Sequence, residues 1–236
     1  MRIVGVIPAR KGSKGIPNKN MIDLCGNKLI EYTFKEAIKS NLDEVILTTD
    51  DDNIINLAKV DYQSIIIPFK RPDELSCSDT EAIDVALHLL EYLKNNSNQL
   101  PDVLCWLQPT SPLRTSSDIN DCINLIKDGD ADSVVSVADV HGISPYKMKK
   151  INSDGYLDNI ISLESKSTNR QKLPKTYIPN GAIFMIRVDM LLKYRNFFGK
   201  KSLPYEMHEE SSVNIDTLLD AKIANLILEK RSQNEV

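Results

Sequence analysis

Up to about Val137 the chain alternates short β-branched apolar runs with segments of helical periodicity, a rhythm that few architectures accept. Arg2 to Pro8 reads as a strand, and Ile30, Phe34 and Ile38 then recur at i, i+4, i+8. Glu44 to Thr48 predicts a second strand, Asp52 to Val60 an amphipathic helix carrying Ile54, Ile55, Leu57 and Ala58, and Ile65 to Ile67 a brief strand. Ser78-Asp79-Thr80-Glu81 has the form of a capping box ahead of an apolar stripe of Ile83, Ala86, Leu87, Leu90 and Leu93. Val103 to Leu107 and Ser133 to Val137 predict two more buried strands, separated by a helix around Asp118 to Lys127. Strands that alternate with helices pair in parallel through crossovers, so the expected class is α/β, a mostly parallel sheet covered by helices on both faces. With 236 residues, 42% of them hydrophobic, one main domain over 1–236 is expected.

After Val137 the rhythm breaks. Tyr146 to Ile151 and Tyr156 to Ile161 flank Asn152-Ser153-Asp154-Gly155, a turn sequence that predicts a hairpin and, over about 140–177, an inserted subdomain. A polar stretch from Ser165 to Lys172 follows, then a strand-like Ala182 to Ile186, and Thr217 is placed to cap a helix reaching about Arg231.

Several function classes are disfavoured. A formal net charge of -4 argues against a general nucleic-acid or anionic-membrane binder, so phosphate recognition has to come from a local cluster. No apolar run is long enough to span a bilayer and the N-terminal one is too short for a signal peptide, so a cytoplasmic location is expected. Cys25, Cys77, Cys105 and Cys122 lack metal-ligand or disulfide-framework spacing and read as reduced, mostly buried thiols. Asp50-Asp51-Asp52 is better explained by a helix dipole than by a metal, and His88, His141 and His208 have no partner at catalytic spacing.

Between the first strand and the first helix lies Ala9 to Asn20, with Arg10, Lys11, Lys14 and Lys19 and two glycines. Glycines let backbone N–H groups approach phosphate oxygens, and the cations neutralise a triphosphate. The spacing fits neither a Walker A loop nor a dinucleotide-binding fingerprint. A solvated surface loop remains the alternative; the position beyond the carboxyl end of strand one favours phosphate.

Together with Arg71-Pro72-Asp73-Glu74-Leu75, Ser78-Asp79-Thr80, Leu107 to Arg114, Arg170 to Pro174 and Pro179 to Ile183, this loop resembles the acylneuraminate cytidylyltransferases, the CMP-sialic acid synthetase family, which includes enzymes for legionaminic and pseudaminic acids. The resemblance spans nearly the whole chain. It implies a Rossmann-like sheet with a small dimerisation subdomain, a homodimer, and transfer of CMP from CTP to an acidic nine-carbon sugar with Mg²⁺ as cofactor. Arg10, Lys14, Lys19 and Asn20 are implied as nucleotide contacts, with Arg71 and Ser78 near its phosphates, ribose or base; for Ser78 a purely capping role stands beside this, and for Arg71 an exposed turn.

For the sugar the resemblance implies Gln108, Lys147 and Arg170, the latter two reaching from the inserted subdomain, with Phe197 and Phe198 against the acyl group or in the core. The family places two aspartates, one residue apart, as metal ligands, where this chain has Asn214 and Asp216. Both point to one side of an extended segment, and support for the following helix is the alternative role of Asp216. Ile178 stands where the family often has a basic residue. A CMP-Kdo-type enzyme, another sugar-nucleotidyltransferase, or a nucleotide-binding protein without activity are the competing readings.

Overall fold

A computed structural model describes residues 1–13, 15–97, 99–140, 145–161 and 174–234. Its centre is a six-stranded sheet of β1 (Ile3–Ala9), β4 (Glu44–Thr49), β5 (Val103–Trp106), β6 (Ser133–Asp139), β9 (Tyr177–Arg187) and β10 (Ser202–Glu206), in the order β10-β6-β9-β5-β1-β4. All run parallel except β9, which is antiparallel to both β5 and β6. The expected mostly parallel α/β sheet is thus present with one reversed strand in its middle. The reversal fits the connectivity: among the described residues no crossover helix lies between β6 and β9, and β9 enters the sheet at the end where β6 left it.

Period-two alternation along β1 sends Ile3 and Ile7 to one face and Val4 and Val6 to the other. The first face is covered by α1 (Leu29–Lys39), α2 (Asp52–Asp61) and α4 (Ser116–Asp128), through side chains such as Phe34, Ile54 and Ile123. The second is covered by α3 (Ala82–Ser97) and α5 (Val188–Tyr194), with Leu89, Leu90 and Leu191 fully buried. Each such side chain contributes about 1.5–3 kcal/mol by leaving water. A third cluster joins the last helix, α6 (Leu218–Asn234), to the small hairpin of β2 (Asp23–Leu24) and β3 (Asn27–Lys28).

Local expectations need four corrections. Ile65 to Ile67 forms one bridge, Ile46 to Ile66, and no strand, because Pro68 follows and can donate nothing to a ladder. Ser78 caps no helix: α3 begins at Ala82, and the Glu81 carbonyl accepts from the Asp84 amide at 3.1 Å. The edge strand β10 was not signalled, since Pro204 sits in its centre; an edge position tolerates a missing donor. Of the four thiols only Cys105 and Cys122 are buried, while Cys25 and Cys77 are exposed.

The expected hairpin is present as β7 (Lys149–Ile151) and β8 (Leu157–Asn159), antiparallel around the Asn152 turn, with every strand residue exposed. Thr217 does cap α6, reciprocally with Asp220: the Thr217 amide donates to the Asp220 carboxylate at 2.7 Å and the Asp220 amide to the Thr217 hydroxyl at 3.3 Å.

Candidate active site

At the carboxyl ends of the parallel strands a cleft of about 250 Å³ opens, lined by the segments that follow β1, β4 and β5. Its first wall is the basic loop. Asn18, in the left-handed region at φ 51°, turns the chain into a short 3₁₀ turn, Lys19–Met21. That turn buries Asn20, whose amide donates to the Arg10 carbonyl at 3.2 Å, so one contact fixes both ends of the loop. Asp50 accepts from the Lys11 amide at 2.8 Å, and Asp51 caps α2 by accepting from the Asn53 amide at 2.9 Å. The aspartate run therefore shapes the loop and the helix, as its position ahead of α2 suggested.

Arg71 is buried on the same side. Its Nε donates to the Thr48 hydroxyl at 3.1 Å and its Nη2 to the Thr48 carbonyl, which aims the remainder of the guanidinium at the cleft that it lines with Arg10. Burial, and to a smaller degree Arg10, pull its pKa down to about 10 against the opposing pull of Asp50, so it remains a cation at neutral pH. Arg71 is thus no exposed turn residue. Two guanidiniums and the Lys19 ammonium around one small cleft make a field suited to a polyanion.

The second wall is made by Trp106, the last residue of β5, with Gln108 and Thr110 beyond it, and behind it stands an irregularity in β9. Val135 pairs with Phe184, but Val137 pairs with Pro179, so residues 180–183 bulge opposite Ser136 alone. Ser136 fills the gap by accepting from the Ile183 amide at 2.8 Å and donating to the Asn180 side-chain oxygen at 2.6 Å. Gly181 adopts φ 81°, where a Cβ would lie 3.1 Å from Gln108 Oε1 and 3.7 Å from Asn214 Oδ1. Glycine is required there both by backbone conformation and by this close approach. The Pro179-Asn180-Gly181 motif is therefore the platform under Gln108.

The segment 214–216 closes the site between the two walls. The Ile215 amide donates to the Thr110 carbonyl at 2.8 Å, and Lys19 Nζ donates to the Ile215 carbonyl at 2.8 Å and to Asp216 Oδ1 at 2.9 Å. A Cβ on Gly15 would lie 2.6 Å from the Asp216 carbonyl, so the basic loop packs on this segment through a glycine. Asn214 Nδ2 donates to Asp216 Oδ2 at 2.8 Å. Because a carboxylate only accepts, this orients the amide and leaves Asn214 Oδ1 on its other side, buried and without a partner. A carboxylate and an orphaned amide oxygen are donors of the kind that a hard divalent cation takes together with phosphate oxygens. Among the described residues no group of three or more His, Cys, Asp or Glu side chains could hold a metal by itself.

Of the residues singled out from sequence, the structure brings Arg10, Lys19, Asn20, Arg71 and Gln108 into one cleft, with Asn214 and Asp216 at its side. Ser78 is exposed, and its neighbours Cys77 and Thr80 line the cleft instead. Phe197, partly buried, packs on the core against Trp106 and Phe184, at ring separations of 5.3 and 6.0 Å, and Phe198 lies half exposed at the edge of Phe184. Lys147 is exposed in the 3₁₀ turn Pro145–Lys147 before β7 and does not line the cleft of its own chain. Lys14 and Arg170 lie outside the described residues. Trp106, a cleft wall backed by Phe197, was missed because an apolar strand residue carries no signal of which end of the sheet it occupies.

A family model for cytidylyltransferases matches residues 4–230. N-acylneuraminate cytidylyltransferase of Escherichia coli O18:K1:H7 is 31% identical over 237 residues, covering 100% of this chain and 54% of that protein. The chain spans about half the length of this relative and of a Streptococcus agalactiae N-acylneuraminate cytidylyltransferase, of which it covers 51%. CMP-N,N'-diacetyllegionaminic acid synthase of Legionella pneumophila is 30% identical, with 97% of both chains covered. The structure of CMP:2-keto-3-deoxy-manno-octonic acid synthetase complexed with CTP shares the fold, at a TM-score of 0.69 and 17% identity over 98% of this chain and 100% of that one. A cationic cleft at the carboxyl ends of a parallel sheet, a glycine platform beneath a glutamine, and a family match over nearly the whole length agree: the chain belongs to the cytidylyltransferase family, in its acylneuraminate group.

Proposed function

We propose that the chain transfers CMP from CTP to the anomeric hydroxyl of an acidic nine-carbon sugar, a nonulosonic acid of the N-acylneuraminate or legionaminic type, releasing pyrophosphate. The observation that carries this reading is the division of one cleft into a cationic wall of Arg10, Lys19 and Arg71 and an amide wall of Gln108 over Gly181. The first wall suits a triphosphate, the second the hydroxyls and carbonyls of a sugar.

Catalysis of this kind rests on positioning and charge, and no covalent enzyme intermediate is expected. Arg10, Lys19 and Arg71 hold the phosphates, joined by Lys14. Asn20 fixes the loop through the Arg10 carbonyl, and Gln108 orients the acceptor. Mg²⁺ held by Asp216, and by Asn214 once its amide turns Oδ1 toward the carboxylate, would neutralise charge on the triphosphate. Lys19, which lines the cleft, and Asn214 both donate to the Asp216 carboxylate and so hold it in place beside the cleft before the nucleotide arrives.

The reaction is expected in the cytoplasm, with no nucleic-acid or membrane partner; no helix among the described residues is long and apolar enough to cross a membrane. A homodimer is expected as well. Ile151, Tyr156, Leu157 and Ile160 are more than half exposed on a hairpin too small to cover them, and a second copy would bring Lys147 and Arg170 to the sugar. The test is pyrophosphate release on mixing the protein with CTP, Mg²⁺ and sialic, legionaminic or pseudaminic acid in turn. Turnover with one of them and a preference for CTP over ATP, GTP and UTP are expected. No release with any sugar acid, or equal turnover with a purine triphosphate, would overturn the reading.

A further inference from the structure

The middle of the sheet comes apart where the cleft opens. Between β5 and β9 the ladder ends at the pair Trp106 and Phe184; beyond it β5 turns away into the Gln108 loop and β9 enters its bulge. Two strands that diverge leave facing carbonyls without amides to bind them. On the β6 side of the bulge Ser136 supplies the missing partner. On the β5 side the partner is Arg114. Its Nη1 donates to the Ala182 carbonyl at 2.7 Å and to the Gln108 carbonyl at 3.2 Å, and its Nη2 donates to the Thr33 hydroxyl of α1 at 2.7 Å.

This guanidinium is among the largest fully buried side chains of the protein, and its Nε has no partner. Among the described residues its hydrogen bonds all go to neutral oxygens, where a buried cation usually gains a carboxylate. Burial draws its pKa down to about 10, which still leaves it charged at neutral pH. An apolar side chain of similar volume would be the less costly filler for such a position. What the arginine does that an apolar residue could not is hold two diverging backbones at a fixed separation, one carrying Gln108, the other Gly181 beneath it.

We propose that Arg114 is a positioning residue of the active site, clamping the Gln108 loop to the bulge of β9 and so fixing the wall that receives the acceptor sugar. The inference rests on the reaction proposed above for its kinetic readout, and on the fold alone for a second one. Arg114→Met keeps the volume and removes the donors, and Arg114→Lys restores a charge but only a single donor centre.

With Arg114→Met the expected result is a folded protein that binds CTP within about twofold of wild type by calorimetry but loses roughly 100-fold in kcat/KM for the sugar, the scale of a misplacement of about 1 Å. Arg114→Lys should recover part of that loss. In hydrogen exchange the amides of 108–111 and 180–183 should lose protection while those of β1 and α3 keep theirs. Unchanged sugar kinetics, or CTP affinity falling in step with sugar turnover, would overturn the proposal in favour of a general packing role. If Arg114→Met does not fold, Thr33→Val removes only the hydroxyl acceptor on α1 and should give a smaller loss with the same selectivity for the sugar; an equal loss at both substrates or none overturns the proposal. Should wild type release no pyrophosphate with any sugar acid, the reaction fails, and the exchange pattern of the folded variant alone decides the clamp.

Discussion

In the cleft polar groups are held by partners distant in sequence, whereas the β7–β8 hairpin turns every strand residue to solvent. Lys19 reaches Asp216 across 197 positions, and Asn180 donates to Ser212 across 32. The hairpin is bound within itself, by a short antiparallel ladder and by Asn152, whose side-chain oxygen accepts from the Asp154 and Tyr156 amides. The difference is one of completeness. A single chain suffices to build the cationic wall, because buried backbone and charged groups there find partners within the fold. The hairpin carries its apolar side chains without a core of its own, and the proposed second copy would supply the surface that covers them.

The largest expected effect tests the complete region. Asp216→Ala should lower turnover by about 100-fold or more, as loss of a preorganised charge does, with a small change in melting temperature since the side chain is exposed. Turnover near wild type, measured alongside the melt, would return Asp216 to the support of α6 alone. Lys19→Ala should raise the KM for CTP by about tenfold, the scale of losing charged hydrogen bonds. An unchanged KM would mean that Lys19 serves only the 215–216 segment. The contrast with the hairpin is sharpened by the double substitution Ile151→Asp and Leu157→Asp. Sedimentation should shift from two chains to one, while CTP affinity stays and sugar turnover falls. A fully active monomer would show that the hairpin contributes nothing to the site.

The smallest effect is chemical. Burial pushes the Cys105 thiol up to about 12 and the Cys122 thiol higher still, so both should resist a thiol reagent at neutral pH until the protein unfolds. Cys25 and Cys77 are exposed, and Cys77 lines the cleft. Two thiols should therefore react in the native protein, and saturating CTP should slow one of them. Equal rates with and without CTP would move the nucleotide away from Cys77.

Much of the cationic wall was legible in the sequence because its residues lie in one loop and in short motifs whose chemistry is local: cations, glycines and a position after a strand. The amide wall was legible only as separate fragments. Pro179-Asn180-Gly181 could be quoted, but that Gly181 lies under Gln108, or that Arg114 joins the two, depends on a register that skips from Val135–Phe184 to Val137–Pro179. Ser78 illustrates the converse. A capping box fits its residues, yet the turn in which the Thr80 amide donates to the Cys77 carbonyl at 3.4 Å delays α3 to Ala82.

The sequence alone determined the α/β alternation, the sites of most strands and helices, and the basic loop, since apolar periodicity and glycine or charge content act over a few residues at a time. Tertiary structure decided the rest: the reversal of β9, the bulge at 180–183, and the burial of Arg71 and Arg114. It also packed Phe197, partly buried, against Trp106. These depend on which strands become neighbours, and pairing partners far apart in the chain are chosen by the whole core at once.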